Sequence, residues 1–319
     1  MTMDMRDGLL GGTFVSRSSL DEVRTYYNTA GANWGDCYRS TGDETPDPAV
    51  LRLRVVLQMV DRYCLDNFFD AGCADAPVMV ELLRRGKSVA GVDFSEVLVA
   101  RGKERLEQAG FDPGLCAVGD VTRLHAPDER YDAVLCLGVL PHIERMDSAI
   151  RELVRITRPG GVLILSFRND LFDLFTFNRF TVEFYADRFF PLVPFTEGER
   201  DRAMQGVKSL LAFPEKPAVD NPQMPPREFD RLTRINHNPL TIGEDMARFG
   251  VTHILNGYYK FHPVPPLLQD RFPDFAKIGA RMDKTLSFSW VGMFMCSTFV
   301  AAFRKGDCSG RSQGEEERR

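Results

Sequence analysis

Apolar and polar positions along this chain switch between two periods. Phe68 and Phe69 make a short apolar run that ends on Asp70 and the small residues Ala71, Gly72, Cys73 and Ala74. Val78, Val80, Leu82 and Leu83 then recur at helical spacing, and Ser88 to Val92 is a second apolar run closed by Asp93. The pattern predicts strand, tight turn, helix, strand: a parallel βαβ unit. Such a turn presents backbone N–H groups and a helix N-terminus to a ligand. Asp93, 21 residues beyond Gly72, is spaced to accept hydrogen bonds from a ribose.

The same reading extends along the chain. Ser19 or Asp21 caps a helix through about Tyr27, and Val50 to Val60 has helical spacing. Ser95 caps Glu96 to Gln108, which Gly110 ends. Leu115 to Val118, Tyr131 to Leu137 and Val162 to Phe167 are further strands. A helix starting at Asp147 is stopped by Arg158-Pro159-Gly160-Gly161. Thr241 and Glu244 form a capping box for a helix over Gly243 to Phe249, and Val251 to Phe261 and Met293 to Arg304 are the last strands. Two long stretches interrupt this alternation, Arg168 to Leu240 and His262 to Ser289. Loops of that length in a compact domain are lids or binding elements. Phe167 to Phe190, where the first begins, holds eight phenylalanines and a tyrosine, and a second capping box, Thr196 with Glu199, opens a helix toward Leu211.

Composition narrows the function. With 44% hydrophobic residues in 319 and a net charge of −5, the chain has ample core and no basic excess, against a general nucleic-acid binder. Its seven cysteines show no metal-ligand spacing, which suits reduced thiols, so no metal is expected. Met1 to Ser16 lacks a signal-peptide pattern, and the apolar run Trp290 to Phe303 is too short to cross a bilayer. A cytoplasmic protein without membrane insertion is expected, with a homodimer left open. Arginine outnumbers lysine, the usage of a GC-rich bacterial genome.

Asp70-x-Gly72-Cys73 followed by Gly91-Val92-Asp93-x-Ser95, then GDVTRL, YDAVLCLGVLPHI and ELVRITRPGGVLILSFRN in that order, resembles the motifs of class I S-adenosylmethionine-dependent methyltransferases. The family turn is D/E-x-G-x-G-x-G, and Ala74 and Ala76 replace its second and third glycines here. A dinucleotide turn, G-x-G-x-x-G, would need glycine where Ala74 and Pro77 stand. The resemblance implies an α/β fold: a Rossmann-like, doubly wound, mostly parallel seven-stranded sheet with an antiparallel last strand, plus a helical cap insertion. Residues 20–167 and 241–304 would form the body, 168–240 a substrate cap and 262–289 a second insertion, between a mobile 1–19 and a disordered 305–319. It implies S-adenosylmethionine as cofactor, with Asp93 on the ribose, Asp120 on the adenine amino group and Phe94 on the adenine face. Asp70, Gly72, Cys73 and Ala74 would meet the methionine end, and Val121 and Leu137 would line the site. Tyr26, Tyr27, Trp34 and Tyr38 cluster within 13 residues, either as an aromatic flap over the cofactor pocket or as packing against the sheet.

A small, largely apolar acceptor is expected under the cap, walled by Phe175 and Phe180 and oriented by Arg168 and Asn169. His142, His237 and His262 are the candidate bases, the last two expected at one mouth, while His142 has the alternative of holding its loop. A non-methylating reaction on the same cofactor, and a non-catalytic binding protein, stay open at this point.

Overall fold

The computed structural model describes residues 13–16, 19–29, 34–39, 46–143, 146–210 and 234–306. In chain order the elements are β1 (Thr13–Ser16), α1 (Leu20–Asn28), α2 (Pro48–Tyr63), β2 (Asn67–Ala71), α3 (Pro77–Arg84), β3 (Ser88–Asp93), α4 (Glu96–Gln108), β4 (Cys116–Val118), β5 (Tyr131–Cys136), α5 (Met146–Ile156) and β6 (Thr157–Asn169). There follow α6 (Asp173–Thr176), α7 (Arg179–Phe184), α8 (Glu197–Leu210), β7 (Arg234–His237), α9 (Ile242–Ala247), β8 (Val251–Phe261), α10 (Phe275–Thr285), α11 (Gly292–Met295) and β9 (Cys296–Lys305).

The sheet has nine strands: seven run in the order β4-β3-β2-β5-β6-β9-β8, with β9 antiparallel to both neighbours, and β7 and then β1 branch from the end of β6. Each central strand is apolar on both faces because each face is covered. Phe68, Leu135 and Ile164 pack with α2 and α3 on one side, while Phe69, Val134 and Leu165 pack with α5 and α9 on the other. This is the mostly parallel, Rossmann-like sheet that the sequence led one to expect.

Several boundaries differ from expectation, each for a local reason. Arg158 to Gly161 does not separate α5 from its strand but lies within β6. Thr157 pairs with Tyr131 and Val162 with Ala133, so the intervening residues bulge out, with Gly160 at φ 70°. Thr13 to Ser16, placed by the sequence in a mobile terminus, is the strand β1 and pairs with β7, itself hydrogen-bonded to the end of β6. Residues 1–12 and 17–18 lie outside the described residues. The expected capping box at Thr241 is absent: Thr241 has a helical backbone and no side-chain cap bond, its hydroxyl lying 3.5 Å from Asp245 instead. One helical turn, α11, takes the first residues expected in the last strand, so β9 starts at Cys296. The box of Thr196 and Glu199 is present, at 2.8 and 3.4 Å. Leu211, the stretch 211–233 and the tail 307–319 lie outside the described residues. Among the described residues, no helix is long and apolar enough to cross a membrane.

Candidate active site

β2, β3 and β5 run parallel and stop side by side at Ala71, Asp93 and Cys136. Ligands of open α/β sheets enter at such carboxyl ends. A cavity of about 280 Å³ opens there, lined by Gly72 and Ala74 after β2, Asp93 and Phe94 after β3, and Asp120 and Val121 after β4. Leu137 and His142 after β5, and Tyr27 of α1, complete that wall.

The turn after β2 keeps the path of a glycine-rich loop while carrying alanines. Gly72 has φ +88°, and a Cβ there would collide with Val139 Cγ2, so nothing larger fits. Its N–H and that of Cys73 both donate to the Val92 carbonyl, at 2.8 and 3.0 Å. Ala74 (φ 49°) and Ala76 (φ 63°) both sit in the left-handed region, which costs an L-residue about 1–2 kcal/mol. That conformation ends at Pro77, whose fixed φ starts α3 without a side-chain cap.

Asp93 braces this strained path. Its Oδ2 accepts the Ala74 N–H and its Oδ1 the Ser95 N–H, each at 2.9 Å. Burial nevertheless pushes its carboxyl up to about 6, against the pull of those two N–H groups. Both oxygens retain acceptor capacity for a ligand hydroxyl. Asp70, at the foot of the turn, is pushed up to about 7 by burial, although the Arg52 guanidinium opposes the shift. Its Oδ2 is buried without a partner. Asp120 Oδ1 is taken by the Thr122 N–H and hydroxyl, at 2.8 and 2.7 Å, which leaves Oδ2 as its free acceptor.

The roof comes from α1. Ser19 and Glu22 form a full capping box that starts it, and Ser95, which caps α4, also donates to Asn28 Oδ1 at 2.6 Å. Tyr27 is thereby held with its ring 6.1 Å from Phe94 and 6.4 Å from His142.

Other expected site residues lie elsewhere. Cys73 turns into the core, its sulfur 3.4 Å from that of Cys116. Trp34 begins the 3-10 turn Trp34–Arg39, and its side chain is outside the described part. Phe175 lies against Phe172, and Phe180 carries the Arg179 guanidinium 4.9 Å from its ring centre; neither lines the cavity. Asn169 is a clamp rather than a free polar group. It donates to the Met293 and Cys296 carbonyls, both at 2.7 Å, and accepts from the Leu171 N–H.

The two histidines expected at one mouth are both buried instead. His237 is fully enclosed on β7 with its ring 5.0 Å from Phe167, and burial, helped by the Arg188 charge, pushes it down to about 3. His262 sits between Phe172 and Phe275 and is pushed down to about 4 by burial. Of the three histidines, only His142 reaches the cavity.

Sequence reading missed Val139, the wall against Gly72, and Arg24, whose guanidinium lies 5.8 Å from the Phe94 ring centre. It also missed Arg52, 7% exposed on α2 and donating to Tyr38 Oη at 2.6 Å. One signal for Arg52 was readable: it falls among Leu51, Val55, Val56 and Met59 on an otherwise apolar helix face.

Residues 69–165 match the family described as "Methyltransferase domain". A demethylmenaquinone methyltransferase of Streptomyces griseus subsp. griseus is 28% identical over 211 residues, 64% of this chain and 87% of that protein. A demethylmenaquinone methyltransferase of Mycobacterium marinum is 36% identical over 101 residues, and there the chain spans only 40% of the relative's length. In fold, the chain is similar to the magnesium protoporphyrin IX methyltransferase of Synechocystis PCC 6803 with bound SAH. The TM-score is 0.50 at 17% identity, covering 90% of this chain and 100% of that one.

Proposed function

We propose that the chain, whose residues 69–165 match a methyltransferase domain, is a class I S-adenosylmethionine-dependent methyltransferase that methylates a small, largely apolar acceptor held between the strand ends and the aromatic cap. S-adenosylmethionine is the cofactor, and it supplies a methyl group already activated on a sulfonium. The observation that carries the reading is the left-handed turn Gly72–Ala76, braced by Asp93 beside a cavity roofed by Tyr27. Asp93 accepts from the ribose hydroxyls, Asp120 Oδ2 from the adenine amino group, and Phe94 covers the adenine face. Asp70, with an unpartnered oxygen, and Arg52 receive the ammonium and carboxylate of the methionine end.

The chain's main contribution is alignment, which is worth about 7–11 kcal/mol in a two-reactant step. Where the acceptor is a hydroxyl, its proton goes to His142, adding about 10²–10⁴-fold. The buried phenylalanines of the cap, Phe172, Phe184 and Phe190, support an apolar acceptor. The relatives named for demethylmenaquinone methylation support a quinone-like ring.

Calorimetry with S-adenosylhomocysteine tests the cofactor half: Asp93→Ala weakens binding by roughly 10–100-fold, the loss of a charged acceptor. Unchanged affinity removes Asp93 from the site. Turnover with a panel of phenols and quinols tests the other half. Methylated product is expected together with S-adenosylhomocysteine, and absence of product across the panel refutes the acceptor class.

A further inference from the structure

The turn after β2 is tethered at three successive residues, each to a different element. Cys73 sets its sulfur 3.4 Å from that of Cys116 at the start of β4. The Ala74 N–H donates to Asp93 Oδ2 at the end of β3. Asp75, buried between the two left-handed alanines, accepts a hydrogen bond from Arg105 Nη2 of α4. Neither Asp75 nor Arg105 lines the cavity.

The shape of α4 suits the third tether. Gly102 stands one turn before Arg105, on the same helix face. A Cβ at Gly102 would lie 3.3 Å from the Asp75 carbonyl carbon and 3.4 Å from the Ala74 oxygen, so glycine lets the helix backbone rest on the turn. The start of α4 is held by the same acid that holds Ala74. The Ser95 N–H donates to Asp93 Oδ1, and Ser95 Oγ accepts the Leu98 N–H at 3.1 Å as the helix cap. These bonds close a ring: turn to Asp93, Asp93 to Ser95, Ser95 into α4, and α4 back to the turn through Arg105. Cut at Arg105, the ring opens between the two alanines.

As a contribution to stability the pair is poor. It is a single bond, with Asp75 Oδ1 and Arg105 Nε buried without partners, and desolvating two charges offsets most of what such a pair returns. Its use is conformational. A left-handed alanine is strained and persists where its surroundings over-determine it, and this turn has two, at Ala74 and Ala76. Burial, and to a smaller degree the Asp75 charge, raise the Asp93 carboxyl, so Arg105 also offsets an acid that acts on Asp93.

We propose that Arg105 is a positioning residue for the cofactor: acting through Asp75, it holds Ala74 and Ala76 in the path that two glycines would take unaided. The inference rests on the methyltransferase reading and adds a residue outside the cavity on which cofactor affinity depends.

Asp75→Asn together with Arg105→Met removes the clamp without leaving an unpaired buried charge. Made in the full chain, and again in an Ala74→Gly, Ala76→Gly background, it is read by calorimetry with S-adenosylhomocysteine. With alanines in the turn, affinity is expected to fall at least roughly tenfold, the shift that the strain of one left-handed alanine drives. With glycines the same two changes cost less than about threefold. Arg105→Lys alone stays within about threefold of the wild type, since an ammonium can replace the single Nη2 contact. Equal losses in both backgrounds make the pair ordinary packing and overturn the proposal, as does no loss with the alanines in place. A chain without the clamp that unfolds with alanines yet folds with glycines supports it, and one that unfolds in both overturns it. Hydrogen exchange of the Ala74 amide in the free protein keeps the two readings apart. Should the wild type not bind S-adenosylhomocysteine, the methyltransferase reading falls. Faster Ala74 exchange without the clamp then still supports the positioning role, and unchanged exchange removes it.

Discussion

Ala74 and Ala76 hold backbone conformations that glycine adopts freely. Ala76→Gly removes the left-handed penalty and adds some unfolded-state entropy, so a net gain of about 0.5–1 kcal/mol in urea denaturation is expected. Gly72→Ala goes the other way. Its Cβ meets Val139, and loss of S-adenosylhomocysteine binding, with the fold retained by circular dichroism, is the expected outcome. The carboxyls give a pH signature with a definite sign. Asp70 and Asp93 are raised by burial to about 7 and about 6, and donors on the cofactor favour their ionised forms. Cofactor affinity should therefore rise as pH climbs through that range, with protons released on binding. A flat calorimetric profile between pH 5 and pH 8 would contradict it. That Asp93 and Asp120 stand at the cavity was legible in the sequence, because each follows an apolar run that reads as a strand. Val139 and Arg24 were not, because their roles depend on which loop crosses which turn.

Among the elements, α1 roofs the site. It is tied to the body by the Ser95–Asn28 hydrogen bond and the Tyr27 ring contacts. Removing its cap with Ser19→Ala costs about 0.5–2 kcal/mol of helix stability. Faster amide exchange in Leu20–Asn28 and faster release of S-adenosylhomocysteine, with exchange in β2 unchanged, should follow. If release is unaltered, α1 is packing and not a roof. This helix was readable from Ser19 and Glu22, since both halves of its box lie within one turn. The box written at Thr241 and Glu244 was not realised, because Thr241 is itself helical and its side chain turns along the helix toward Asp245. The same four-residue spelling thus has two outcomes, decided by the backbone that enters it.

Over the whole molecule, the sheet sets the protonation of groups far from the cavity. His237 is buried at β7 and held down to about 3 by burial and the Arg188 charge. A histidine whose folded pKa is depressed stabilises the fold above its unfolded pKa and loses that contribution as pH falls. Relative to His237→Phe, the wild type should lose about 2 kcal/mol between pH 6.5 and pH 5, measured by denaturant midpoints at each pH. Equal pH dependence of the two would show that His237 is not desolvated as described. The hydrophobic periods, the acids at strand ends and the glycine stops by themselves determined the βα alternation, the parallel body and the cofactor turn, because those are local spellings of backbone geometry. Pairing decided the rest. Whether a histidine met solvent or Phe167, and whether Asn169 clamped β9 or faced a ligand, were fixed by strands distant in sequence, and no local pattern encodes their register.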